Sequence, residues 1–189
     1  MRCFHPWTAW LPDDGSKIVY YEQPNTTSVQ LPCGQCIGCR LKRAESWAVR
    51  CVHESRMHSE NCFITLTYDD DNLPPYGNLR YADFQKFLKR LRKKRGPFRF
   101  FMAGEYGEQF FRPHHHACLF GLHFHDRELH SRSDSGSDVC VSAELSDLWP
   151  DGHASVGDFT FESAAYVARY VVKKVTGDAA EEHYKRMTE

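Results

Sequence analysis

Arg112-Pro113-His114-His115-His116-Ala117-Cys118-Leu119-Phe120-Gly121 is the stretch on which the reading of this chain turns. It reads as a β-strand closed by a glycine, and successive strand side chains point to opposite faces. His114 and His116 therefore share one face, and His115 points to the other. Two imidazoles at this spacing can hold one divalent ion and leave positions open for substrate. The preceding strand, Phe98–Gly104, runs into Glu105, and a glycine-bearing link around Tyr106–Arg112 leads to the histidines. If the two strands pair across that link, the Glu105 carboxylate reaches the same face. A two-histidine, one-carboxylate set suits Mg2+ or Mn2+ at a phosphate, a non-haem iron or a catalytic zinc, and spacing alone does not choose. Three consecutive histidines are also what a polar strand edge shows. The strand context and the nearby carboxylate are what favour a metal.

Outward from this strand the elements follow from periodicity. Asn61–Tyr68 alternates Phe63, Thr65 and Thr67 against Cys62, Ile64, Leu66 and Tyr68, and is a strand. Arg40–Met57 is an amphipathic helix on the spacing of Leu41, Ala44, Trp47, Ala48, Cys51 and Val52. Arg80–Arg95 is a second helix, striped by Phe84, Phe87, Leu88 and Leu91 and stopped by Gly96-Pro97. Asp69–Asn78 is a loop, Lys17–Glu22 a short strand, and the Ser-rich His125–Asp138 a flexible loop. Ala143–Trp149 is a short helix, Ala154–Phe159 a strand, and Phe161–Val175 a closing helix. The order predicts an α+β class, a small antiparallel sheet backed by helices. It divides the chain into a Cys-rich segment (1–45), a main domain (46–177) and a C-terminal tail (178–189), which leaves open that the chain is a fragment.

With 189 residues, 41% hydrophobic and 14% aromatic, the chain can bury a genuine core and is not a disordered protein. It has no run of about twenty apolar residues and no apolar N-terminal leader, which points to a cytosol and away from a membrane. The eight cysteines are then poor disulfide candidates. Cys33, Cys36 and Cys39 offer three thiolates in one tight loop, with Gly34 and Gly38 easing the turns. Tetrahedral zinc needs a fourth ligand, for which Cys3 is the first choice and His5 the second. The net charge of −1 is unlike many nucleic-acid-binding domains, so any such binding needs unevenly placed charge. Lys86, Arg90, Lys93 and Lys94 supply it on the second helix, where a solvated face is the competing reading. Trp7, Trp10 and Trp47 fit core packing better than base stacking. Tyr166 and Tyr170 stand four apart in Ser163–Lys174, hence on one helix face, with Lys173 and Lys174 following. By themselves they read as a packing stripe.

The motifs PCGQCIGCR, FITLTYDD, GEYG followed by RPHHHACLFG, and FTFESAAYVARYVVKK stand in the order of a known group. Together they resemble the replication initiator proteins of the Microviridae, most closely the gokushovirus type, over nearly the whole chain. That family belongs to the HUH endonucleases, so the resemblance implies an HUH/RRM-like nuclease fold with an antiparallel sheet as platform. It implies Glu105, His114 and His116 as ligands of Mg2+ or Mn2+, and Tyr166 and Tyr170 as alternating nucleophiles. Lys173 or Lys174 would steady the phosphate or phenolate, or merely offset the helix dipole. The implied activity is nicking of a single-stranded DNA origin in rolling-circle replication, with a 5′-phosphotyrosine link, a free 3′-hydroxyl and later strand joining. The implied partners are the origin and the host polymerase and helicase, in the cytoplasm of a bacterial host. His115 departs from the pattern, whose middle position is normally bulky and apolar or aromatic. Rival readings are a hydrolase or oxygenase with the same triad, a zinc-stabilised nucleic-acid-binding module without catalysis, and a relaxase-type mobilisation nuclease.

Overall fold

A computed structural model describes residues 3–107, 111–133 and 136–172, and the chain divides into two compact units, Met1–Glu45 and Ser46–Glu189. In the first, β1 (Trp7–Pro12) and β2 (Thr26–Leu31) form a two-stranded antiparallel sheet, with Trp7 opposite Leu31 and Pro12 opposite Thr26. The strand expected at Lys17–Glu22 is not there. Val19 makes only an isolated bridge to Trp10, and the ladder is formed by the flanking segments. A two-stranded ribbon buries little on either face, so it carries no clear alternation for a sequence to show. Trp7, expected in a core, is 61% exposed on it.

Helix α1 (Ile37–Ser55) leads into the larger unit. There β3 (Asn61–Tyr68), α2 (Tyr81–Arg95), β4 (Arg99–Tyr106), β5 (Pro113–Phe120), β6 (Glu128–Arg132), β7 (Asp138–Val141), α3 (Ala143–Leu148), β8 (Gly152–Asp158) and α4 (Phe161–Val172) follow in turn. The strands make one sheet in the order β4-β5-β3-β8-β7-β6, antiparallel at every pair. The α+β class and the antiparallel platform with backing helices are as the sequence predicts. The segment His125–Asp138 departs from it. Within this expected loop the structure has β6, joined to β7 through an irregular register between Leu129 and Ser131. Every β6 side chain is exposed. An edge strand held by backbone bonds alone needs no apolar pattern, and that is why it read as loop.

Two packed faces follow from the pleat. On one, Cys62, Ile64, Leu66 and Tyr68 of β3 meet Phe84, Phe87, Leu88 and Leu91 of α2 and Leu145, Leu148 and Trp149 at α3. On the other, Phe63, Phe101, Ala103, Cys118 and Phe120 meet Ala48 and Cys51 of α1 and Ala164 and Val167 of α4. Each large side chain removed from water contributes roughly 1.5–3 kcal/mol, so this double layer is what orders the sheet. Helix α2 ends at Gly96, whose φ of 82° suits glycine and whose N–H donates to Arg92 O. Its last turn carries Arg92, Lys93, Lys94 and Arg95, matched to the negative end of the helix dipole.

His115 lies in the first of these layers and is 0% exposed. Its ring sits 5.4 Å from Phe84 and 5.9 Å from Trp149. Burial pushes its pKa down to about 4, so the imidazole is neutral at ordinary pH. Tyr68 donates its hydroxyl proton to Asp83 at 3.2 Å, so His115 Nε2, 3.3 Å away, is the donor to Tyr68. A neutral ring with one hydrogen bond fills an aromatic position in the core.

Gly152 opens β8 at φ 150°, and a Cβ there would overlap Thr67 O and Asp69 N. Those atoms are backbone and cannot swing aside. Gly152→Ala is expected to destabilise the fold by about 2–3 kcal/mol in urea unfolding. Gly77→Ala, at φ 66° with open space around it, is expected to cost only about 1 kcal/mol. Equal losses at the two positions would count against the close strand crossing.

Candidate metal and nucleophile site

Register assembles the site. In the β4–β5 pair Glu105 stands directly opposite His114, and Ala103 opposite His116. On the other side of β5, Thr65 faces His116 and Thr67 faces His114. The ligand atoms of Glu105, His114 and His116 all come within 4.8 Å of one another. Glu105 and His116 are each 6% exposed.

The hydrogen-bond inventory shows what the cluster is shaped for. His116 Nδ1 is tied to Thr65 Oγ1 at 3.0 Å, which fixes the ring and turns Nε2 inward. Nε2 lies 2.9 Å from Glu105 Oε2, close enough for an ion pair, yet it is buried off the hydrogen-bonding line. His114 Nδ1 is likewise buried without a partner. Burial, and then the neighbouring His116, hold the His114 pKa below the usual histidine range. Burial pushes Glu105 upward, but the His116 ring and the Tyr170 and Tyr166 hydroxyls outweigh it and leave the carboxyl more acidic than usual. Unpaired imidazole nitrogens converging with an ionised carboxylate are the donor set that a divalent ion needs. The residues fit such an ion.

Helix α4 packs on β4 and β5 and lays both tyrosines over this cluster. Ala164, Val167 and Ala168 bury the inner stripe, so the packing expected of such a helix is carried by them. Tyr166 donates to Glu105 Oε2 at 2.8 Å, and its ring meets His116 edge-on at 5.1 Å. Tyr170 stacks on His116 at 6.4 Å, with 5.0 Å between the two tyrosine rings. Burial, then Tyr170 and the Glu105 charge, push the Tyr166 pKa well above the usual phenol value. As it stands Tyr166 is a protonated, weak nucleophile held within hydrogen-bonding distance of the ligand set.

Other expected residues fall elsewhere. Lys173 and Lys174 lie outside the described residues, as does the tail 178–189. Lys86, Arg90, Lys93 and Lys94 ride on α2, which packs on the sheet face opposite the triad. Lys86 pairs with Asp83 at 2.9 Å, Arg90 donates to Leu148 O at 2.8 Å, and Lys94 lies 3.6 Å from Glu144. The structure does not bring these four together with Glu105, His114 and His116. Sequence reasoning missed Thr65, whose role shows only once β3 is known to run beside β5. It missed Arg112 too, which donates to Tyr68 O at 2.9 Å and to Asp70, tying the start of β5 to the end of β3.

In the smaller unit the sulfurs of Cys3, Cys33, Cys36 and Cys39 also lie within 4.8 Å of one another, and all four are free of disulfides. His5 is not in this group. Gly34 makes the turn at φ 73°, whereas Gly38 lies inside the first turn of α1. The N–H of Phe4 points at Cys36 Sγ from 3.4 Å and brings that thiol down to about 6. Loss of water contact, and then the neighbouring thiols, push Cys39 up to about 12 despite the Gly34 N–H. Four sulfurs this close are stable as thiolates only around a cation, and the group can hold a metal ion.

The family model described as replication-associated protein ORF2 matches residues 61–175, a span that includes Glu105, His114, His116, Tyr166 and Tyr170. The replication-associated protein VP4 of Bdellovibrio phage phiMH2K is 37% identical over 97% of this chain and 61% of its own length. The replication-associated protein ORF2 of Spiroplasma virus 4 is 36% identical over 77% of this chain and 48% of its own. ORF4 of Chlamydia phage 1, also a replication-associated protein, is 36% identical over 82% of this chain and 41% of its own. The chain thus spans between about two-fifths and three-fifths of the length of these relatives. No solved structure matches it.

Thr65→Val keeps the shape of β3 and removes the partner of His116 Nδ1. Mn2+ affinity, followed by electron paramagnetic resonance titration, is expected to fall roughly 10- to 100-fold. An unchanged titration would remove Thr65 from the site.

Proposed function

This chain belongs to the ORF2 family of replication-associated proteins, and on that premise we propose that it nicks a single-stranded DNA origin through Tyr166 to start rolling-circle replication. The observation that carries the proposal is the Tyr166 hydroxyl, 2.8 Å from the carboxylate of a convergent Glu105, His114 and His116 set. A protonated phenol is a poor nucleophile, and it becomes a useful one only beside a strong local positive charge. Glu105, His114 and His116 would hold Mg2+ or Mn2+. Such an ion supplies Lewis acidity at a phosphoryl oxygen and offsets charge in the in-line transition state.

The chain's own side chains do the rest. Thr65 keeps His116 turned inward, and Glu105 holds Tyr166 beside the position of the phosphate. As Tyr166 Oη bonds to phosphorus, the bond to the 3′-oxygen breaks. The phenolic proton passes to water, and the leaving oxygen takes one from water. The product is a 5′-phosphotyrosine and a free 3′-hydroxyl that a host polymerase can extend, with a host helicase opening the duplex ahead. Tyr170, one helical turn on and packed against Tyr166, is placed to attack the regenerated origin so that the displaced strand can be joined. Lys173 and Lys174 would steady the phosphate. Such a role belongs in the cytoplasm of a bacterial host, and no helix of the described residues is long and apolar enough to cross a membrane. In the smaller unit, Cys3, Cys33, Cys36 and Cys39 would hold a structural Zn2+.

Incubation with labelled origin-bearing single strands and Mn2+ should give a covalent adduct on a denaturing gel. The Tyr166→Phe, Tyr170→Phe double variant should abolish it, and an undiminished adduct would sink the nucleophile assignment. A non-catalytic binding module instead predicts DNA retention with no adduct from the unmodified chain. Purified protein should also contain close to one equivalent of zinc, lost in Cys36→Ser; less than about half an equivalent would argue against a structural site.

A further inference from the structure

The rows of the sheet that carry the triad continue past it. Glu105 is opposite His114, His114 opposite Thr67, and Thr67 opposite His153; His116 is opposite Thr65, and Thr65 opposite Ser155. Side chains paired across neighbouring strands project to the same face. Thr67, His153 and Ser155 therefore stand in line with the triad. Beyond them His130 of β6 and Val139 and Val141 of β7 help to enclose a groove of about 320 Å³. Helix α4 packs on β4 and β5, on the other side of the triad from this groove.

The lining selects its occupant. Val139, Val141 and Ala154 offer apolar surface, and Thr67, Ser155, His130 and His153 offer hydrogen-bonding edges. The side chains of these four make no hydrogen bond among the described residues. Neither Lys nor Arg lines the groove, so a phosphate finds no charge partner there. A nucleobase, with apolar faces and polar edges, matches both kinds of surface. The volume sits at the low end of ligand sites, roughly 300–1,000 Å³, and suits one base. From β5 to β8 is two strand spacings, roughly 10 Å, within the span of one nucleotide lying across β3.

On the nicking reading above, we infer that this groove takes the base of the nucleotide whose 3′-oxygen leaves. In-line displacement puts the attacking and leaving oxygens on opposite sides of phosphorus. Tyr166 approaches from α4, over β4 and β5, so the breaking bond points across β3 toward β8. When the Oη–phosphorus bond has formed and the phosphorus–O3′ bond has broken, the released strand ends at a nucleotide seated in the groove. The groove holds the primer end, and in joining it returns the same hydroxyl to a phosphotyrosine. Thr67, His153 and Ser155 are thus specificity-determining residues for the base immediately 5′ of the cut.

The test is cleavage of a library of single-stranded oligonucleotides of random sequence with Mn2+, with both fragments sequenced, for the unmodified chain and for His153→Ala and Ser155→Ala. The unmodified chain should select a base at the position 5′ of the cut. Each variant should relax that selection by about 10-fold, with preferences 3′ of the cut and Mn2+ affinity unchanged. Unchanged selection at that position, or relaxation only on the 3′ side, overturns the inference. If the unmodified chain forms no adduct, the nicking reading is what fails, and the groove is judged by fluorescence anisotropy with the same library. There about 5-fold weaker binding in the variants retains a base-binding groove without its assignment to the leaving nucleotide, and equal binding removes it.

Discussion

The register of the β4–β5 pair is the constraint on which the rest depends. Because side chains alternate along a strand, one pairing puts His114 and His116 beside Glu105 and sends His115 into the core. A slip by one residue would exchange the faces. It would bury two imidazoles among Phe84, Phe87 and Trp149 and leave the carboxylate facing one histidine. The hydrophobic layer under α2 opposes that slip, so the energy that packs the core also sets the geometry of the site. Arg112 adds a tie at the open end of the pair, where it bonds the last residues of β3.

His115 shows how closely the two faces are linked. The resemblance places a bulky apolar or aromatic residue at this position. Burial keeps the His115 imidazole neutral, and Tyr68 accepts from its Nε2 in a chain that runs on to Asp83. The ring then packs as an aromatic one. The departure in the motif is therefore a change in core packing, and its nitrogens are directed away from Glu105.

Charge is distributed by face as well. The basic residues of α2 stand over the layer opposite the triad, several of them committed to Asp83, Asp151 and Glu144. The triad face is built instead from uncharged donors and acceptors, Thr65, Thr67, His153 and Ser155, around one carboxylate. A near-neutral chain can still present a surface for a polyanion if the anion is met by a bound cation rather than by side-chain charge. That is consistent with the net charge of −1, which counts no metal.

The sequence by itself determined a good deal. Alternation in Asn61–Tyr68 and Pro113–Phe120 and the stripe on α2 were legible because those elements bury one face, and burial writes a period into the residues. The same alternation separated His115 from its neighbours, and the spacing of Tyr166 and Tyr170 put both on one helix face. Only the tertiary structure decided what those faces meet. Strand order brought β3 beside β5 and made Thr65 the partner of His116, while α4 crossing β4 and β5 turned two tyrosines toward the triad. The ribbon of β1 and β2 and the edge strand β6 were invisible for the converse reason. They are held by backbone hydrogen bonds, which every residue but proline can make and which therefore leave no mark in the order of the side chains.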